Sequence, residues 1–561
     1  MTQPPPPPSN QPPPGFGAPQ EPPPGFAGGF GAPVPPPHPQ PGYGHPQAPG
    51  PGYGPGTAPG YGYGYPAQPA PPPPPPPPGR RGLGIRARIV VSAAVAVVLI
   101  IGSGVWYAST RDAADPGKDR AGNSAGGSGG EKDRGAAAPD GPGKEKAPAD
   151  TGSAIAFEKP APAHDGLLNV EGSWLTEKAY IKPGIRSVTA HDPVRGTPLW
   201  TLKLPGQICA SSRHVSADNK TAVAFEATAR TKSRAVVPCT EVGAVDLNTG
   251  KLLWSRSVTG AITGDNKVNF SEVTQSGTTV AAGGLSGGAA FDLNTGTVRW
   301  KPTVDADQCF DQGYGGGAAL VAVRKCGDYD KPSVTIQRID PSNGTPLFSY
   351  KMPPTVGYAS VVSTDPLVVA ADVGDTAGVS GFSDLFSLDG KGALLARIPA
   401  AADKFSAQCR TTRVESCNKL AVGNGRIYLP TDKHEGKAEF SDTNEVVSYD
   451  LTTGKPTSDR ADAGDRYTMF PLRMDGGNVI AYKRPPYDKG GQIVSIDGAT
   501  FKQTVLMENP QDRAVRAKET GFSPDSAEFR YRAGRLYIAT PSLSGYRHGK
   551  EFLAVAFSTA D

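Results

Sequence analysis

The stretch AVDLNTGKLLWSRSV at 244–258 is answered by AFDLNTGTVRWKPTV at 290–304. Each places a short β-prone run before an Asp, then a turn, a Gly and a Trp. An Asp carboxylate in that position can accept hydrogen bonds from backbone N–H groups two or three residues on, closing a hairpin. Asn, Thr and Gly supply the hydroxyl and positive-φ chemistry that a tight turn needs. A large flat side chain eight residues past the Asp is suited to packing between neighbouring sheets.

The pattern recurs on both sides of this pair. Upstream stands AHDPVRGTPLWTLKLP (190–205). Downstream come RIDPSNGTPLFSYKMP (338–353), SLDGKGALLARIP (387–399), SYDLTTGKPTSDR (448–460) and SIDGATFKQTVLME (495–508). The anchors Asp192, Asp246, Asp292, Asp340, Asp389, Asp450 and Asp497 lie roughly 46 to 61 residues apart, the length of a four-stranded blade with variable loops. Gly250, Gly296, Gly344 and Gly454 follow four residues after their Asp. The wedge position holds Trp200, Trp254, Trp300 and Phe348, then Arg397, Ser458 and Val505, so the motif decays toward the C-terminus.

Between anchors, runs such as KTAVAFEA, GTTVAAGG and GRIYLPTD read as second strands. No segment after 165 shows a helical period, which predicts a nearly all-β domain. The seventh anchor is followed by EFRYRAGRLYIATP and EFLAVAFS, strands with no Trp ending. The missing outer strand is expected from the start of the domain, near GLLNV at 166–170, closing a ring and removing its exposed edges. The expectation is an eight-bladed β-propeller, with seven blades the alternative.

The motif D-L-N-T-G-x-x-x-W at 246–254 and 292–300 resembles the PQQ-like (pyrroloquinoline-quinone-type) β-propeller repeat, over about residues 165–561. That repeat occurs in quinoprotein dehydrogenases, in an outer-membrane protein-assembly lipoprotein, and in actinobacterial membrane-anchored proteins with Pro-rich N-terminal tails. The resemblance implies the fold and leaves binding module and dehydrogenase both open. Family members that are enzymes set a vicinal Cys-Cys disulfide against the quinone, stack it on a Trp, and hold Ca²⁺ with Glu, Asn and Asp. This chain has no adjacent cysteines, and only Trp174 in the domain lies outside the blade motif. The expectation is therefore a chain without catalysis or cofactor.

The six cysteines all follow residue 200, in three neighbouring couples: Cys209 with Cys239, Cys309 with Cys326, Cys409 with Cys417. None shows a zinc-type spacing. Nearest-neighbour bridges are favoured, each lying between two Asp anchors and so stapling a single blade; free buried thiols are the alternative. Such bridges persist only in an oxidising compartment.

Residues 89–108 (IVVSAAVAVVLIIGSGVWYA) form an uncharged apolar run, ten of them Val, Ile or Leu. As a helix this run is roughly 30 Å long, the thickness of a hydrocarbon core. Arg80, Arg81, Arg86 and Arg88 crowd the 80–88 flank, while mixed charges follow the span. The positive-inside rule then places the N-terminus in the cytoplasm and the cysteine-bearing part outside the cell membrane, as a single-pass protein. A cleaved signal peptide would need an n-region of nearly ninety residues, far beyond the usual length.

The 60 prolines concentrate before residue 80. Residues 1–79 are expected as a disordered Pro/Gly/Tyr-rich cytoplasmic tail. Docking onto a cytoplasmic partner, weak self-association and a solvated tail with no partner all fit it. Residues 109–164, rich in Gly, Ala, Asp, Lys and Pro, read as a flexible extracytoplasmic linker. A net charge of +4 on 561 residues carries no clustered basic footprint, which argues against nucleic acid.

Other motifs read as structural. Gly284 to Gly288 matches G-x-S-x-G but sits in a hairpin turn, without the strand-to-helix step of a nucleophile elbow. Asp305, Asp307 and Asp311 lack the glycine and distal Glu of a calcium loop. His191, His214, His434 and His548 fall in different repeats and read as loop or surface residues, and Gly313 to Gly317 reads as a turn. The partner expected on the propeller face is a protein, peptide or glycan.

Overall fold

The computed structural model describes residues 143–559, apart from 261–262, 306, 328–331, 402, 411, 438–440 and 546–550. The expected tail, basic flank and membrane span, and the linker as far as residue 142, lie outside the described residues. Among those described, no helix is long and apolar enough to cross a membrane.

Eight four-stranded antiparallel sheets form the ring. They comprise residues 174–203, 208–256, 272–300, 310–351, 359–399, 421–462 and 468–508, and finally 528–559 joined by 153–160, here blades 1 to 8. In blades 1 to 7 the chain runs outward from an innermost first strand; the first strands of blades 2 to 5 touch in succession, as do those of blades 6 and 7 and of blades 8 and 1. Second strands such as Thr279–Gly283 and Leu367–Ala371 are buried on both faces and are apolar or small throughout. Outer strands such as Pro198–Lys203 alternate between exposed and half-buried residues, as one solvated face requires.

The connectivity sorts the loops. Turns between first and second strands, and between third and fourth, fall on one face, which carries all the Asp turns. Loops between second and third strands, and the connections between blades, fall on the other face.

The Asp turns close by side-chain to backbone bonds. Asp246 accepts from the Asn248 amide at 2.8 Å, and Asp292 from Asn294 and Thr295 at 3.0 and 2.9 Å. Asp192, Asp340, Asp389, Asp450 and Asp497 do the same. The turn glycines have a second role. A Cβ on Gly250 would stand 2.4 Å from the Trp200 ring, and one on Gly296 would stand 2.6 Å from Trp254. Both glycines also have φ of 71°, where an L side chain is strained. Each wedge of one blade therefore lies on the bare turn of the next. Trp300 on Gly344 and Phe348 on Gly392 continue the series, and Trp254 adds a 2.7 Å bond from Nε1 to the Leu293 carbonyl. Where the wedge is lost, packing is rebuilt. Opposite Ser458, blade 7 puts Phe501 in the glycine's place at φ 58°, buried and 6.0 Å from the Tyr428 ring.

The closing strand differs from expectation. Ser153–Pro160, inside the stretch read as linker, pairs antiparallel with Phe552–Thr559. Leu168–Asn169 only forms a short ladder with Ser542–Leu543. Phe157 supplies the wedge that closes the ring, since a Cβ on Gly196 of blade 1 would lie 2.4 Å from it. Upstream, Glu145 accepts from Arg473 at 2.6 Å and from the Ala533 amide at 2.9 Å, tying the incoming chain to blades 7 and 8 on the Asp-turn face. The other departure is the helix Arg513–Thr520 between blades 7 and 8, capped by Asp512 and too short to show a period in sequence.

A chain begun at residue 165 lacks this closing strand and should melt lower or aggregate, whereas one begun at 143 should melt cooperatively in calorimetry. Phe157→Ala should cost roughly 3–5 kcal/mol in urea unfolding of the latter.

Candidate functional site

All three cysteine couples are bridged, and all lie on the face opposite the Asp turns. Cys209–Cys239 and Cys309–Cys326 each brace one blade. Cys409–Cys417 does not, contrary to expectation. Both residues belong to the connection between blades 5 and 6, because the long spacing from Asp389 to Asp450 comes from an insertion in that connection.

The bridged loop 409–417 fills the axis of the ring. Val414 is fully buried, donates its amide to Glu272 Oε2 at 2.8 Å and accepts from the Val361 amide at 2.7 Å. Glu415 reaches further along the channel. It accepts from His214 Nε2 at 2.6 Å, Thr274 Oγ1 at 2.7 Å and the Gly316 amide at 3.3 Å. Arg213 donates to the Glu415 carbonyl at 2.8 Å, and Arg413 pairs with Glu171. One short loop thus binds the inner edges of blades 2 to 5 and the segment that leads into blade 1.

Room for this plug comes from blade 4, whose first strand is Phe310–Gly315. Gly313 and Gly315 are strand residues, where a turn was expected; a Cβ on Gly313 would strike Glu272, and one on Gly315 would strike Val361. Close backbone approach explains glycine here.

Beside the plug lies a cavity of about 380 Å³ lined by inner-strand residues of the blades. Its charges are partly paired. Its lining residue Glu528 accepts at 3.0 Å from Lys182, which lies almost fully buried behind the wall and also donates to the Val170 and Gly172 carbonyls. Burial lowers its ammonium pKa, and the neighbouring Glu528 opposes that shift. Burial likewise pushes the Glu272 carboxyl up to about 8, against the pull of the Val414 amide and Arg413. Burial also opposes ionisation of Glu415, but His214, Arg213 and Thr274 outweigh it and hold that carboxyl below its usual range. Arg213, Arg410 and Arg530 line the cavity without an ion-pair partner among the described residues.

The remaining predicted positions do not converge on this site. Arg324 pairs with Asp305 at 2.7 Å and Asp311 at 3.0 Å. No cluster of metal-ligating side chains occurs among the described residues. His191 is buried, contrary to its surface reading, and bonds the Gly196 carbonyl; His434 pairs with Glu445; His548 lies outside the described residues. A quinone does not fit here: no cysteines are vicinal, the plug occupies the axis, and Trp174 is buried with Nε1 bonded to the Ser212 carbonyl at 2.8 Å. Sequence reasoning missed Arg213, Glu272, Arg413, Glu415 and Arg530, and only the long interval holding Cys409 and Cys417 pointed toward them.

Glu272 stays protonated in the fold until about pH 8, while an unfolded carboxyl ionises near 4.5. The unfolded chain therefore binds fewer protons across that window, and stability falls as pH rises, by up to roughly 1.4 kcal/mol per unit. Glu272→Gln should flatten the fall in melting temperature between pH 5 and pH 8 and be the more stable form at pH 8, read by scanning fluorimetry.

No curated protein sequence matches the chain. Among solved structures, BamB from Moraxella catarrhalis is similar at 11% identity and a TM-score of 0.36, covering 70% of this chain and 99% of that one. The quinohemoprotein alcohol dehydrogenase from Comamonas testosteroni is similar at 14% identity and a TM-score of 0.40, covering 72% and 76%. Sqt1 from Saccharomyces cerevisiae is similar at 10% identity and a TM-score of 0.37, covering 73% and 98%. The family described as outer membrane protein assembly factor BamB matches residues 175–311 and 238–500, which together exceed half of the chain. The protein belongs to that family.

Proposed function

We propose that this chain is a membrane-anchored, extracytoplasmic binding or scaffold module that engages its partner through the plug-side face and catalyses nothing. Family membership supports the scaffold or binding class. The anchor is the apolar run 89–108, and the compartment is argued from the flanking arginines and the three disulfides.

The observation that carries this reading is the asymmetry of the two faces. The incoming chain joins the ring on the Asp-turn face, through Glu145 and Ser153. The plug-side face holds all three disulfides. Five exposed apolar side chains stand on its loops in different sectors: Leu167, Val236, Leu285, Tyr358 and Tyr487, up to 83% exposed. On the Asp turns the only large apolar side chain exposed among the described residues is Val194. The unequal share of exposed apolar side chains on the loops of the two faces, two tyrosines among them, supports reading the plug-side face as the one that meets a partner.

A photocrosslinking residue at Leu285 or Tyr487 in the full chain, expressed in its own cells, should yield discrete adducts that the same residue at Val194 does not. Adducts only from Val194 would overturn the assignment of the face. Saturable binding of pyrroloquinoline quinone with dye reduction would overturn the absence of catalysis.

A further inference from the structure

The central cavity does not end at the channel. It shares Lys419 and Phe470 with a second cavity of about 310 Å³. That one shares Lys433, Thr468 and Arg484 with a third of about 450 Å³, which reaches Tyr487 and the helix residues Arg516 and Thr520. Together they form one radial groove on the plug-side face, running from the axis across blades 6 and 7 to the rim.

Its charge is lopsided in a specific way. The carboxylates along it are already committed: Glu171 to Arg413, Glu415 to His214, Glu528 to Lys182, and Asp525 to Lys419. Asp442 lies 3.8 Å from Lys433, and Glu272 is held protonated near neutral pH by burial. Asp432 is the remaining acid in the wall. Against these, Arg213, Arg410 and Arg530 at the axis, and Arg484 and Arg516 toward the rim, have no ion pair among the described residues. Arg213 spends its terminal nitrogens on backbone carbonyls, and Arg530 donates to the Ser173 and Phe529 carbonyls. Phe470, Pro485, Pro486 and Tyr487 stand between these cations, with the Arg466 guanidinium 5.2 Å from the Tyr487 ring centroid.

We propose that this groove binds an extended acidic segment of a partner protein, seated radially from the plug to the rim. The inference deepens the reading of the plug-side face as the working face and rests on it. Planar guanidinium forks match carboxylates in bidentate pairs, and a row of them without carboxylate partners is complementary to spaced Asp or Glu side chains. The apolar walls between the cations favour a peptide over a uniformly charged polymer. An extended chain alternates its side chains and can place an apolar one beside Tyr487 or Phe470 while its neighbours meet arginine.

The test uses purified full chain and a fluorescein-labelled hexaglutamate peptide read by anisotropy. Hexaglutamate should bind, hexaglutamine should not, and the affinity should fall as salt is raised from 50 to 300 mM. The double variant R484E/R516E, at groove positions outside the core, should weaken binding by about tenfold or more with its melting temperature unchanged. Equal binding of hexaglutamate and hexaglutamine, or no effect of the double variant, would overturn the proposal. So would a polyuronate that binds and depends on Arg484 and Arg516 where hexaglutamate does not, since the ligand would then be a glycan. The crosslinks at Leu285 and Tyr487 separate the two levels. If those adducts persist in R484E/R516E and hexaglutamate does not compete with them, the groove assignment fails while the face assignment stands. If adducts form only from Val194, both fail.

Discussion

An indole laid on a glycine holds this ring together. Trp200 covers Gly250, Trp254 covers Gly296 and Trp300 covers Gly344, each ring occupying the volume that a Cβ would need. Aromatic side chains bury large apolar areas, and the absence of a side chain beneath lets the next blade approach to contact distance. Because each contact spans two blades, it acts only when both are formed and adjacent. A series of such contacts is stable when it closes, and closure requires one wedge from outside the repeat, which is Phe157. From blade 8 round to blade 5 this series sets how neighbouring blades lean on one another; beyond Phe348 other packing takes over, as Phe501 against Tyr428 shows.

Much of this was legible in the chain because its cause is local. An Asp turn is built by a carboxylate and amides two or three residues away, so its residues must stand together in sequence. The Trp is legible for the same reason, being fixed by strand length after the turn. The parts that were missed are those whose cause lies elsewhere. Ser153–Pro160 has few large apolar residues and stands among Gly, Asp and Lys, and only Phe552–Thr559, about 400 residues on, makes it a strand. Gly313 and Gly315 read as turn residues until Glu272 and Val361 are seen pressed against them. His191 is buried because the closing wedge packs near it, with ring centroids 6.4 Å apart. The candidate site was the least legible part, since Glu171, Arg213, Glu272 and Glu415 come from distant segments and meet only at the axis.

The plug shows what the ring does with its centre. A channel lined by eight inner strands has unmatched backbone and polar edges, and an empty one would fill with water. Here a loop closed by a disulfide supplies Val414 to bury and Glu415 to accept from three donors. Bridging the loop removes disorder from its open form, which lowers the cost of holding it in one conformation. A centre sealed in this way is a poor slot for a flat cofactor, and the open surface lies outward from the axis.

The loops on that open side are also the ones that differ most from blade to blade. Tight turns that must present a bare glycine to a neighbour's ring leave little room for insertions, so the Asp turns are nearly uniform in length from blade to blade. The loops between second and third strands, and the connections between blades, carry no such constraint. They hold the insertion that became the plug, the helix Arg513–Thr520, the exposed Tyr487, and Arg410 and Arg516 with no carboxylate partner among the described residues. The contact that makes the fold repeat on one face therefore pushes individuality to the other, and charge left unpaired there is a feature the packing does not require.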